Sequence, residues 1–454
     1  MSSLQSPYAG APQLRTRSRA RQSLSDRIKR RMWLIGAASL FYLALALSYM
    51  FDIAVNWSYY GFGYDPNPMR IALGFLTLMA FAILTRASND VVSFYQGFIV
   101  LAALCPAAII FGLGGASAEY FLAVTMGTLG LFIFSRLNFK RFVLARLSRH
   151  SFIILLAFLT SICILTIIAY GGLRYFNLNP WAVYLYRTSA AELLPPIFGH
   201  ITSPVSKVII PIGVVLGVYY RSRIVIVTFI LLTIIFYGLT QHKTVIVAPV
   251  AVLIFYYALL RFPMQKALSI LFLAIGSVTL VELFWRQSMD LTSSGMFSSM
   301  FTRRVFMLPP LLDSVFVDFF KENEFYYWAT SRITFNLVET SYEQTAPFVI
   351  GSIYFGNDAM SANSGFVGSG FANAGTVGVV IYGVVLGLIL SVLNAHGRHL
   401  GHAFTSCAAM MVVVSAINSS DLVTVLLTHG MIFLLLLLSL MPSSPRESHL
   451  PWST

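Results

Sequence analysis

Predominantly apolar runs of about 17 to 22 residues recur along the whole chain, each long enough to cross a hydrocarbon core of about 30 Å as a helix. Inside lipid a helix satisfies its own backbone hydrogen bonds, so runs of this kind dictate a helical bundle. The chain is 57% hydrophobic and only 10% charged over 454 residues, which leaves too little polar surface for a soluble domain of that size. The expected fold is an all-α polytopic membrane protein with about twelve transmembrane helices. They are placed near 33–53, 70–85, 95–113, 119–135, 151–171, 204–220, 223–240, 244–260, 267–285, 373–394, 402–417 and 422–441.

Charge orients these spans. The first 31 residues carry eight Lys/Arg against the single acid Asp26, which holds the N-terminus in the cytoplasm and, with twelve spans, the C-terminus as well. Threading from there puts 20 of the 30 basic residues and only three of the 17 acids on the cytoplasmic side. The net charge of +13 is thus a topology signal, and no module for nucleic acid accompanies it. The first apolar run is too long for a cleaved signal peptide and lacks a small-residue cleavage site. Cys105, Cys163 and Cys407 all fall inside spans, without a CxxC pair, so they read as core residues rather than a disulfide framework.

The layout that follows is a basic tail (1–32), nine spans (33–285) with an outer loop at 172–204, a large extracytoplasmic loop (286–372), three further spans (373–441) and a short tail (442–454). Everything cytoplasmic is short and basic, so function is expected at the outer face. In the large loop, PPLLDSVFVDFFKENEF reads as a helix lying on the membrane surface. Leu312, Val315, Phe316, Phe319 and Phe320 share an apolar stripe, opposite Ser314, Asp318 and Lys321. The same loop holds 17 Phe, Tyr and Trp, concentrated around EFYYW, which suit a membrane-interface belt or stacking on sugar rings.

Cations near outer helix ends call for an anionic partner or a wet cavity. Arg187, Lys243, Arg303, Arg304 and Arg332 stand at such places, with snorkelling or pairing to Glu192 or Glu339 as the simpler explanation for each alone. As a set they suit a clamp on a lipid pyrophosphate, arginine by bidentate forks and lysine as a point charge. The stretch AMSANSGFVGSGFANAGTVG offers irregular backbone at its glycines and hydrogen-bonding side chains at its serines and asparagines. Asn363, Gly368, Gly370 and Asn373 are therefore expected to wall a cavity, while Gly383 and Gly387 form a GxxxG suited to helix packing.

Four passages, VYLYRTSAAE, LTQHKTVIVAPVAVLI, TRRVFMLPPLLDSVFVDFF and GFVGSGFANAGTVGVVIYGVVLGL, together resemble the Wzy-type O-antigen and exopolysaccharide repeat-unit polymerases. The spans and loops fit that layout over nearly the whole chain. The resemblance implies a GT-C-like bundle in a bacterial inner membrane. The growing glycan would pass from undecaprenyl pyrophosphate to the terminal sugar of an incoming lipid-linked repeat unit. It also implies that Arg187, Lys243, Arg303 and Arg304 bind the pyrophosphate and that a loop acid is the base. Partners implied are the lipid-linked oligosaccharide, with a chain-length regulator and a flippase as further candidates.

An activated sugar needs in-line positioning, stabilisation of the departing charge and general-base help at the attacking hydroxyl. Asp318 is the first candidate base, followed by Asp313 and Glu339; His200 and His242 also face outward. No DxD pair stands in an outer loop, so neither a metal nor another cofactor is expected. The run HGRHLGH, with His396, His399 and His402, reads as a basic juxtamembrane turn. Two rivals remain. An O-antigen ligase is expected to carry a histidine in its large outer loop, and 286–372 has none. A flippase is expected to show internal repeats and mid-membrane charges, which the sequence does not display.

Overall fold

The computed structural model describes residues 11–442 apart from 180, 184, 185, 187–193 and 336. Among these residues the regular structure is helical, with no β-strand. Among the described residues nine helices are long and apolar enough to cross a membrane, including Ser25–Asn56, Val91–Leu113, Gly199–Tyr219, Phe366–Leu400 and Leu422–Leu440. Three shorter apolar helices, Pro68–Leu84, Ala118–Phe134 and His402–Asn418, occupy the remaining expected segments. Each is 17 residues long and rises about 25 Å, just under the hydrocarbon thickness, which is why length alone separates them from the other nine.

The centre of the bundle is Val91–Leu113, almost wholly buried. Its interior Pro106 has no N–H to donate, and the helix widens into a π-turn at Val100–Leu104 immediately before it. Gln96 on this helix is satisfied by neighbours: it donates to the Ser135 hydroxyl at 2.9 Å and accepts from the Arg86 N–H at 2.8 Å. All three cysteines are buried, and none forms a disulfide.

Glycine sets a close helix pair. Gly127 of Ala118–Phe134 faces Gly383 of Phe366–Leu400, and Gly387 lies on Leu131 and Phe134 one turn further on. A Cβ built on Gly383 would overlap the Gly127 carbonyl, so this contact exists only without side chains. Gly383→Leu is expected to destabilise the protein by about 3 kcal/mol or more, read as a lowered thermal midpoint in detergent. Gly36→Ala, with nothing within 4 Å of the added methyl, should leave the midpoint unchanged or slightly raised.

Two spans are interrupted. Phe366–Leu400 leaves helical geometry at Ala374 and Gly375, where Gly375 takes φ +59°. The last span divides into Leu422–Leu427 and Met431–Leu440 around Gly430 at φ +92°. Each break frees backbone groups that need partners or water at that depth, and both lie beside the site described next.

Candidate functional site

The large loop enters the bundle instead of resting on its surface. A π-helical stretch, Ser298–Met307, continues into the helix Leu308–Phe320, with Pro309 and Pro310 at its first positions where a missing N–H is harmless. Ser314, expected on the polar face, is buried, as is the candidate base Asp313, along with Leu312, Phe316 and Phe320. The amphipathic pattern misassigns Ser314 because its hydroxyl is satisfied within the helix, donating to the Leu311 carbonyl at 2.8 Å, and the buried carboxylate beside it has partners as well: Asp313 Oδ1 accepts from the Ser364 hydroxyl at 2.5 Å and from the Gly368 N–H at 3.1 Å. Burial pushes the Asp313 carboxyl up to about 7, against the opposing pull of Ser364, Gly368 and Gly365.

The aromatic segment closes the break in Phe366–Leu400. The N–H groups of Tyr326 and Tyr327 donate to the carbonyls of Ala372 and Asn373 at 2.9 and 3.0 Å, and the Trp328 N–H donates to Asn373 Oδ1 at 2.9 Å. Tyr327 and Trp328 adopt left-handed backbone, at φ 44° and 61°, to make this turn. Trp328 Nε1 then donates to Tyr382 Oη at 2.9 Å, and Tyr382 donates to Asp421 Oδ1 at 2.6 Å. Asp421 also caps Leu422–Leu427, its Oδ2 accepting from Val423 N and Thr424 N at 2.9 and 3.1 Å. Burial raises the Asp421 carboxyl above its ordinary range, with the Tyr382 and backbone donors working the other way.

These elements enclose a cavity of about 640 Å³. Its walls combine hydroxyls and amides (Ser361, Asn363, Ser364, Ser369, Asn373, Thr428), three aromatic residues (Tyr326, Trp328, Phe348), one carboxylate (Asp421), one imidazole (His200) and apolar side chains such as Pro347 and Val423. Beside it lies an apolar groove of about 520 Å³ between Ile381, Val385, Leu426 and Ile432. Trp328, Val423 and Leu427 line both volumes, so the two meet along a shared wall.

Of the expected wall residues, Asn363 and Asn373 line this cavity. Gly368 instead serves Asp313 through its N–H, and Gly370 allows the two halves of the broken helix to touch, its Cβ position lying 2.9 Å from Val379 Cα. Among the candidate bases, Asp313 stands directly behind the lining residue Ser364. Asp318 is partly exposed, 3.3 Å from Lys321 Nζ, and Glu339 is exposed; neither lines the cavity.

The cation clamp is not assembled around this cavity by the described residues. Arg303 is buried elsewhere, its guanidinium 3.7 Å from the centre of the Trp57 ring, and burial followed by the neighbouring Arg304 lowers its pKa. Arg304 is exposed, and Lys243, partly buried, opens its own helix; none of the three lines the cavity. Arg187 lies outside the described residues, as does the side chain of Arg332. Residues at outer helix ends share a depth but not a direction, and only packing decides which of them converge.

Asp421 was not singled out by sequence reasoning, and Trp328 entered it only as the last residue of EFYYW. For Asp421 the one signal was Ser-Ser-Asp ahead of the last apolar run, a helix-cap pattern that says nothing about a cavity. His396 is buried against Phe142 and is not grouped with His399 and His402 as a metal site; among the described residues no set of three or more His, Cys, Asp or Glu is placed to hold a metal ion. No protein-family model, no curated protein and no solved structure matches the chain.

Proposed function

We propose that this protein is a membrane-embedded glycosyltransferase that polymerises lipid-linked oligosaccharide repeat units at the outer face of a bacterial inner membrane, its twelve helical segments all crossing and both termini cytoplasmic. The observation that carries this is the meeting of a mixed polar and aromatic cavity with an almost wholly apolar groove. A hydroxyl- and amide-lined cavity with aromatic faces suits a saccharide, and the apolar groove sharing its wall suits a polyprenyl chain. A ligand that is sugar at one end and hydrocarbon at the other satisfies both at once.

The step assigns each group a task. An acceptor hydroxyl attacks the anomeric carbon of the donor sugar, the new C–O bond forms as the sugar–phosphate bond breaks, and the lipid pyrophosphate leaves with the bonding electrons. The acceptor proton passes to Ser364 Oγ as the Ser364 proton moves to Asp313, whose raised affinity for protons suits a base working near neutral pH. Tyr382 and Asp421 hold Trp328 at the junction of cavity and groove.

Purified protein given a lipid-linked repeat unit, without nucleotide sugar, is expected to yield a ladder of products differing by one repeat. Movement of the lipid between leaflets with no new glycosidic bond would identify a flippase and refute the proposal.

A further inference from the structure

The helix Gly199–Pro204 and the π-turn Val205–Ile209 after it carry His200, Pro204 and Lys207 at helical spacing along one face. That face follows the break in the last span. His200 Nδ1 lies 3.0 Å from Thr428 Oγ1, Pro204 packs on Gly430, and Lys207 Nζ lies 2.8 Å from His429 Nδ1. An ammonium can only donate, so His429 Nδ1 accepts and the neutral ring carries its proton on Nε2.

A neutral imidazole satisfies one N–H of Lys207 without cancelling its charge. Lys207 is partly buried within the span Gly199–Tyr219, where an unmatched cation is costly. Among the described residues no carboxylate lies within ion-pair distance of it. The place supplies what such a cation lacks. Thr428 and His200 line the polar cavity, Leu427 lines both cavity and groove, and Ile432 lines the groove, so Lys207 stands against the segment where the two volumes meet.

We propose that Lys207, with His429, His200 and Thr428, forms a site for phosphate oxygens, of the class carried by a polyprenyl lipid whose tail lies in the groove. The proposal deepens the transferase reading and rests on it for the lipid source of the phosphate. It also moves the anion contact from the loop arginines to a lysine inside a span. A point charge with hydroxyl and imidazole donors beside it suits a compact oxyanion entering from the polar side.

The test measures binding, not turnover. Full-length protein in detergent is titrated with a long-chain polyprenyl phosphate, the matching polyprenol, and inorganic pyrophosphate. Wild-type protein is expected to prefer the phosphate over the alcohol by about 10-fold or more. Lys207→Met should abolish that preference and Lys207→Arg should keep most of it. Competition by inorganic pyrophosphate supports a site open to free phosphate as well, whereas its failure to compete supports a site that needs the lipid. Equal binding of the two lipids by wild type overturns the proposal, as does a preference that survives in Lys207→Met; should that variant not fold, the wild-type comparison decides alone. A protein that binds the phosphate preferentially yet forms no glycosidic bond refutes the transferase and leaves this site standing.

Discussion

Asp313→Asn is expected to lower glycosyl transfer by about 10²- to 10⁴-fold, the usual contribution of a general base, in protein that still folds and inserts. The substitution is nearly isosteric and its carbonyl still accepts from Ser364 and Gly368, so the loss reports the missing proton acceptor and not a collapsed wall. Ser364→Ala should cost a comparable factor by cutting the relay at its first step. Wild-type activity should rise with pH through about 7 as a single ionisation, and the residual activity of Asp313→Asn should be flat there.

Stability should move the opposite way. The folded Asp313 carboxyl holds its proton up to about 7, well above the ordinary carboxylate range, so between about pH 4 and 7 the folded state binds more protons than the unfolded state. Stability from this group therefore falls as pH rises through that window and stays low above it. Asn carries no such slope. Asp313→Asn should accordingly gain over wild type by up to about 4 kcal/mol at pH 8, with the gain fading towards pH 4. Thermal midpoints across that range would check the sign, and a variant gaining most at acid pH would refute the burial of a titrating carboxyl.

The second large effect is at Trp328. Its indole faces the cavity, borders the groove and is tied to Asp421 through Tyr382. Trp328→Ala removes the stacking face and the Nε1 hydrogen bond, together about 2 kcal/mol, and should reduce kcat/KM by about 10- to 100-fold, mainly through KM. Trp328→Phe keeps the ring and loses the hydrogen bond, so a reduction of roughly 5-fold is expected. The consecutive left-handed residues Tyr327 and Trp328 hold conformations that cost about 1–3 kcal/mol each, sustained by three N–H groups that donate to the broken helix, two to its carbonyls and one to the Asn373 side chain. A Trp328→Ala protein with unchanged KM for lipid-linked substrate would remove the indole from the binding surface.

Membrane segments were legible because hydrocarbon thickness and backbone satisfaction leave one solution to a long apolar run. Gly383 and Gly387 were legible for a related reason: a GxxxG in a span has few uses besides close packing, and they do pack, on Gly127 and Leu131. The glycine- and asparagine-rich stretch was half legible. Asn363 and Asn373 wall the cavity, whereas Gly368 and Gly370 serve a hydrogen bond and a backbone contact that no spacing rule specifies. Asp313 was harder, because helical periodicity sorts residues by average polarity and cannot register that Ser364, 51 positions away, accommodates a buried carboxylate. The link Trp328–Tyr382–Asp421 was invisible for the same reason: EFYYW marked an aromatic cluster, but nothing tied Trp328 to Tyr382 and Asp421 until the fold joined three separate segments. Arg303 illustrates the reverse case: a charge at a helix end invites a ligand, yet here an indole ring already covers it.

An experimental structure with a lipid-linked saccharide bound is the most direct test of the claim that one ligand spans both volumes. Density for sugar rings against Trp328 and Asn373, running into chain density between Ile381, Leu426 and Ile432, is the expected result. Sugar density beside Lys243 or over Arg303, with the cavity empty, would contradict it.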